Sequence, residues 1–181
     1  LNVAGINYKK EDLLALKGLT DTWFIVGQYE GNDDDNLFYR RSWIYGEQTK
    51  KLALILDFAW GSNPYTENWK VGQQFKGEVI FHPSAFPLRV LVKQYEMTAE
   101  PFTIYGFSHF SDFSKTFSEA IGQNPWVQIF PAFLENVRAV FHNNHFYLLD
   151  EDDLQIPVKE LEGIGWKIMA LSAGHPINVF G

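Results

Sequence analysis

The feature that most constrains the fold is a succession of short strand-like segments, each rich in aromatic and β-branched residues and each ended by turn residues. Residues 23–29, 37–45 and 51–58 are the first three, and the intervening 31–36 and 46–49 hold Gly, Asn or Thr. The aromatic share is 17%, which favours strands and a well-filled core. Strands at such short spacing predict an antiparallel meander.

Seven further segments fit the same pattern and bring the predicted total to about ten strands: 75–81, 88–95, 137–142, 145–149, 154–158, 166–172 and 177–180. Two short helices are predicted as well. One covers 10–17 and ends at Gly18, and the other begins after an N-cap at Ser111 and ends at Gly122. The predicted fold class is therefore α+β, predominantly antiparallel β.

The 181 residues suffice for one domain of ordinary size. We predict a single β-rich domain over 1–181, with a possible seam near 98–111. The chain begins on Leu1 and ends on 177–181, inside a predicted apolar strand. Because an uncovered apolar strand edge promotes aggregation, we expect the chain to be a fragment of a longer protein.

Composition excludes several classes of function. The net charge is −7, so this region is a poor match for nucleic-acid phosphates. The chain has no cysteine, which excludes disulfides, thiolate catalysis and cysteine-ligated zinc within it. No apolar run approaches the ~20 residues that a membrane helix needs. We therefore expect a cytoplasmic location, no membrane contact and no nucleic-acid contact through this region.

Two acidic runs and one histidine pair are the candidates for metal binding. The runs 33–35 and 150–153 lack the alternating spacing of a calcium loop, so solvated turns are predicted for both. His142 and His145 flank Asn143-Asn144, which predicts a tight hairpin with the two imidazoles facing each other. Two imidazoles are fewer than the three or four ligands that zinc takes. No metal site is predicted.

The sequence contains no G-x-S-x-G elbow, no Walker A motif and no G-x-G-x-x-G motif. Polar residues within apolar runs are the remaining candidates for a ligand pocket: Arg89, Asp57, His82 and His175. An ion pair between Arg89 and Asp57 is the preferred interpretation, because a charge in an apolar strand is either on the wet face or paired. A hydrolase or small-ligand pocket around these four residues is the alternative. A third hypothesis is carbohydrate binding through Trp60, Tyr65 and Trp69.

Several stretches together carry a resemblance to a known family: 41–47 (RSWIYGE), 52–59 (LALILDFA), Gly72 followed by 78–89 (EVIFHPSAFPLR), 124–126 (NPW) and 170–181 (ALSAGHPINVFG). In order and spacing they resemble the region downstream of the zinc finger in bacterial SWIM zinc finger family proteins. The resemblance runs from about Trp23 to Gly181. None of its motifs is catalytic.

The resemblance implies a zinc-bearing interaction protein. Its finger has a C-x-C…C-x-H pattern, which this chain lacks, so the zinc is expected in a finger upstream and no cofactor in this region. Partners implied by the family are an AAA+ ATPase or a von Willebrand A protein, and any DNA contact would belong to the finger. We therefore predict a non-catalytic scaffold or protein-interaction domain rather than an enzyme.

Overall fold

The computed structural model describes residues 9–32, 37–60, 65–125, 127, 129–159 and 163–181. These residues form nine strands and three helices. The α+β, mainly antiparallel fold class is thus confirmed, with one strand fewer and one helix more than predicted. The chain divides into two compact units, Leu1–Thr103 and Ile104–Gly181, and the division falls within 98–111.

The first unit is a closed five-stranded barrel. Its elements are α1 (Lys10–Leu14), β1 (Leu19–Asn32), β2 (Leu37–Gly46), β3 (Leu52–Trp60), β4 (Gln74–Phe81) and β5 (Arg89–Thr98). The strand order is β1-β2-β3-β5-β4, and β1 closes the barrel by pairing with β4. Only β3 and β5 run parallel. This order, with its one parallel pair, is that of the Greek-key barrel known as the OB fold.

Alternating residues of the five strands fill the barrel. Trp23, Ile25, Ile44, Ala53 and Phe75 are fully buried, as the period of two in a strand with one wet face requires. Burying one such large side chain stabilises the fold by roughly 1.5–3 kcal/mol relative to exposure. Trp69, in the connection between β3 and β4, packs against Phe75 with ring centroids 5.1 Å apart and belongs to the same core.

The second unit carries a four-stranded antiparallel sheet. Its elements are α2 (Phe110–Gln123), β6 (Phe133–His142), β7 (His145–Leu149), β8 (Gln155–Val158), α3 (Ile164–Ser172) and β9 (Ile177–Phe180). The strand order is β8-β7-β6-β9. The predicted hairpin is confirmed, because Asn143 and Asn144 both have positive φ, 48° and 61°, and His142 pairs with His145.

The strand predicted over 166–172 was wrong: these residues lie in α3. The stretch is apolar at nearly every position, so its periodicity cannot separate a buried strand from a helix. Residues with left-handed backbone geometry at both ends of the stretch mark the start and the end of the helix. Gly163 precedes the helix with φ 74°, and Ala173 ends it with φ 49° while donating its N–H to the Met169 carbonyl. The stretch also holds Met, Ala, Leu and Lys, which are good helix formers.

Helix α2 begins two residues earlier than predicted. Its first helical residue is Phe110 and its N-cap position is His109, so Ser111 lies in the first turn. In the part of the chain that the structure describes, none of the helices has the length and apolar character needed to cross a bilayer.

Candidate functional site

Asp57 lies in β3 and forms its ion pair with Arg40 of the neighbouring strand β2, at 3.0 Å between Nη2 and Oδ2. The expected pair between Arg89 and Asp57 is therefore wrong. Arg40 is 4% exposed, and its guanidinium lies 4.3 Å from the centre of the Tyr65 ring and also donates to the Glu67 carbonyl. Burial raises the pKa of Asp57, and the Arg40 guanidinium opposes that effect.

His82 directly follows β4 and Arg89 begins β5, and the His82 N–H donates to the Arg89 carbonyl at 2.9 Å. Burial lowers the pKa of His82, and the positive charge of Arg89 lowers it further. Both effects favour the neutral imidazole. His175 belongs to the second unit, in the turn after α3, where its N–H donates to the Ser172 carbonyl at 2.8 Å.

The three aromatic residues proposed for carbohydrate binding have different environments. Trp60 is 58% exposed at the end of β3, whereas Trp69 is 3% exposed in the barrel core. Tyr65 is partly covered and packs on Arg40. A flat platform made of all three rings is therefore not formed, and Trp69 is a core residue.

A solvated turn was predicted for Asp150. That prediction was wrong, because Asp150 is 1% exposed. Its carboxylate accepts hydrogen bonds from the backbone N–H groups of Phe110, Asp152 and Leu154, at 2.7, 3.0 and 2.9 Å. Burial acts to raise the pKa of Asp150, but these donors outweigh it and the pKa is lowered. The carboxylate thereby holds the first turn of α2 against the β7–β8 turn. The other acidic run, 33–35, lies outside the described residues.

His109, Asp150 and Asp152 offer ligand atoms within 4.8 Å of one another. His109 Nδ1 lies 2.9 Å from Asp152 Oδ2, and this hydrogen bond raises the pKa of His109. Both oxygens of Asp150 already accept backbone hydrogen bonds next to the N-terminus of a helix, whose partial positive charge repels a cation. The cluster is therefore explained by helix capping.

The outer surface of β1–β3 has an unusual composition. Cross-strand pairing places Tyr29, Arg41 and Leu56 in one row. The next row is Gly31, Tyr39 and Phe58, followed by the pair of Leu37 and Trp60. Because residues two apart along a strand share a face, these rows form one surface. We call it the outer aromatic face, defined by Tyr29, Tyr39, Arg41, Leu56, Phe58 and Trp60.

Three rings of this face are open to solvent: Tyr29, Phe58 and Trp60 are 56%, 47% and 58% exposed. The intervening row on the opposite side of the same strands is charged, with Glu30, Arg40 and Asp57 paired across it. At this end of the barrel Arg40 is buried and paired with Asp57 on one side of the strands, whereas the rings of Tyr29, Phe58 and Trp60 are exposed on the other. Large exposed apolar patches of this kind mark interaction surfaces.

Tyr39 has a defined position at the centre of the face. Its ring centroid lies 6.2 Å from that of Tyr29, and the Arg41 guanidinium lies 5.0 Å from the ring centre. Gly31 makes this placement possible, since a Cβ there would come within 2.6 Å of the Tyr39 hydroxyl. The absence of a side chain at Gly31 lets the Tyr39 ring lie across β1.

Sequence reasoning missed this face. Leu37 to Ser42 contains aromatic and arginine residues on both faces of the strand, so alternation does not reveal which face is inward. The useful signal was the outward set itself, Leu37, Tyr39 and Arg41 in β2 with Leu56, Phe58 and Trp60 in β3. That set can be recognised only once the pairing register is known.

The described residues also include a cleft of about 300 Å³ on the wall formed by β1, β4 and β5, lined by Thr20, Lys76, Gly77, Glu78, Gln94, Tyr95 and Glu96. None of the four predicted ligand residues lines it. Among the described residues, the rings of His109 and His145 form hydrogen bonds with Asp152 and with the Asn143 carbonyl, and neither of these partners is a hydroxyl nucleophile.

Comparisons with protein-family models, with curated proteins and with solved structures found no match for this chain.

Proposed function

We propose that the first unit is a non-catalytic protein-interaction module that contacts its partner through the outer aromatic face. The single observation behind this proposal is the composition of the face: Trp, Tyr, Phe, Leu and Arg, without Lys, Glu or Asp. Interface cores are enriched in aromatic residues and Arg and depleted of Lys, Glu and Asp. Trp, Tyr and Arg are also the residues that most often carry the binding energy.

Other ligand classes fit this face less well. OB-type barrels commonly bind oligonucleotides or oligosaccharides on the surface of strands 2 and 3, but the fold alone does not decide function. Binding to single-stranded nucleic acid requires a positively charged groove beside the stacking rings. The outer aromatic face has one positive charge, Arg41, on a chain of net charge −7.

The wider expectations belong to the same proposal. The parent protein is a SWIM-type protein with its zinc in an upstream finger, acting in the cytoplasm beside an AAA+ ATPase or a von Willebrand A protein. The resemblance described above supports these expectations. In this arrangement the finger makes any DNA contact, and the barrel makes a protein contact.

The test compares capture of proteins by the immobilised chain and by two double variants. Phe58→Ser with Trp60→Ser removes two exposed rings of the face. Trp166→Ser with Leu171→Ser removes two exposed apolar residues of the second unit, which are 55% and 83% exposed. Proteins held by the wild type and the second variant, but lost from the first, are the expected result. Equal capture by all three proteins contradicts the proposal, provided that circular dichroism shows unchanged folding.

A further inference from the structure

We infer that the partner of the outer aromatic face is a polypeptide segment in which one carboxylate is flanked by apolar residues, and that this carboxylate pairs with Arg41. The inference rests on the proposed function and specifies the chemistry of the partner. It depends on where the charge on this face lies and on how that charge is held.

Arg41 is the one charged side chain of the outer aromatic face. Among the described residues, the ion pairs join Arg40 to Asp57, Lys93 to Glu78, His109 to Asp152 and Arg138 to Asp153, so Arg41 has no carboxylate partner. Arg40, the next residue along β2, points to the opposite side and is neutralised by Asp57. Adjacent arginines of one strand thus differ, because only Arg40 has a carboxylate partner in the part of the chain that the structure describes.

The guanidinium of Arg41 is held beside an aromatic ring of the same face. It lies over the Tyr39 ring, with its central carbon 5.0 Å from the centroid, a cation–π contact that leaves the positive charge in place for a carboxylate. An arginine fork binds a carboxylate through two parallel hydrogen bonds, which a lysine does not reproduce. Aromatic rings beside it reduce the access of water and so strengthen the pair.

The partner segment carries one carboxylate rather than an acidic run. The chain has a net charge of −7, so its long-range field repels a strongly acidic partner. Attraction must therefore come from the local contact with Arg41. The residues around it, Tyr29, Leu56 and Phe58, are apolar or aromatic and require apolar side chains opposite them.

The test is selection of binding peptides from a displayed library of random 12-residue sequences on the immobilised 181-residue chain. Peptides that bind the wild type but not the Trp60→Ser variant are those that contact the outer aromatic face. We expect these peptides to contain Asp or Glu next to aromatic or aliphatic residues. Synthetic versions should lose affinity by about tenfold or more on Arg41→Gln, as removal of a charge-assisted hydrogen bond predicts. Arg41→Lys should restore affinity only in part.

Arg138→Gln is the matched control, because Arg138 is an exposed arginine of β6 in the second unit and lies outside the outer aromatic face. It should leave peptide affinity unchanged. Trp60-dependent peptides without acidic enrichment overturn this inference and leave the proposed function standing. No Trp60-dependent peptide, or Trp60-dependent binding of a dT20 oligonucleotide in its place, overturns both.

Discussion

Asp21 and Asp150 each use one buried carboxylate to connect segments that are distant in sequence. Asp21 is 4% exposed and accepts hydrogen bonds from the backbone N–H groups of Gln48 and Thr49 and from the Thr49 hydroxyl, at 3.1, 2.8 and 2.7 Å. It therefore fixes the β2–β3 turn against β1. Asp150 does the same for the β7–β8 turn and the first turn of α2.

Replacing Asp150 by Asn should destabilise the second unit by about 1–3 kcal/mol, because at least one buried N–H loses its acceptor. The pH dependence should change as well. The pKa of Asp150 is lower in the folded than in the unfolded state, so its stabilisation is present above the ordinary aspartate pKa of about 3.9 and is lost as the pH falls through the lowered value. Urea unfolding of the wild type and variant between pH 2 and 7 measures both effects.

Asp112→Asn is the control for this experiment. Asp112 is exposed in the first turn of the same helix, so the variant removes a negative charge near the helix N-terminus and keeps the carboxylate of Asp150. It should cost well under 1 kcal/mol. If Asp112→Asn were as destabilising as Asp150→Asn, the capping role of Asp150 would be contradicted.

At this scale the sequence allowed only part of the structure to be predicted. The hairpin at Asn143-Asn144 was predictable, because its turn chemistry is local. The role of Asp150 was not, since its partner Phe110 is 40 residues away. A run of four acidic residues in a turn predicts solvation unless the folded arrangement is known.

The connection between β3 and β4 acts as a covering element of the barrel. Trp69 packs against Phe75 and Tyr95, with ring centroids 5.1 and 4.9 Å apart, and its carbonyl accepts a hydrogen bond from the Gln28 side chain at 2.9 Å. Tyr95 in turn donates its hydroxyl to Glu67. The described part of this connection, 65–73, is thus held in place by its own aromatic and polar contacts.

Trp69→Ala and Trp60→Ala should therefore change the free energy of unfolding by very different amounts, although both remove an indole and the two residues are close in sequence. Trp69→Ala removes a buried side chain and should reduce the free energy of unfolding by about 3–5 kcal/mol. Trp60→Ala removes an exposed one and should change it by less than about 0.5 kcal/mol. Chemical denaturation of both variants measures the difference. Comparable losses would contradict the assignment of Trp60 to an open face.

At the scale of elements, prediction worked where periodicity was clear. Strands β2, β4 and β7 were placed to within about one residue, because aromatic and β-branched residues alternate between turn signals. Strand β1 extends to fourteen residues, Leu19–Asn32, since pairing with both β2 and β4 sustains it beyond its apolar run. The helix α3 was mistaken for a strand because its periodicity is hidden by apolar residues on all sides.

The molecule consists of two units: the first is a closed barrel, and the second contains a four-stranded sheet. The barrel strands β1 and β4 pair along Leu19–Phe24 and Gln74–Val79, and β5 joins β4 to β3, so the first unit needs no strand from the second. Each unit also has its own core: one cluster includes Trp23, Ile25 and Phe75, and the other includes Phe110, Leu134 and Val137.

The segment 1–103 should therefore fold when expressed alone. Far-ultraviolet circular dichroism should show a β-rich spectrum, and near-ultraviolet signals should show its tryptophans in fixed environments. Segment 1–88 is the control, because it lacks β5 and cannot join β3 to β4. It should be unfolded or aggregated. An unfolded 1–103 would contradict the independence of the first unit.

The stack of Gly31, Tyr39 and Arg41 has a consequence for the cost of binding. Freezing a flexible side chain at an interface costs about 0.5–1.5 kcal/mol of conformational entropy. Here the ring and the guanidinium are already held in contact within the free chain. The barrel therefore pays little of this entropy when it docks, and most of the ordering is left to the partner segment.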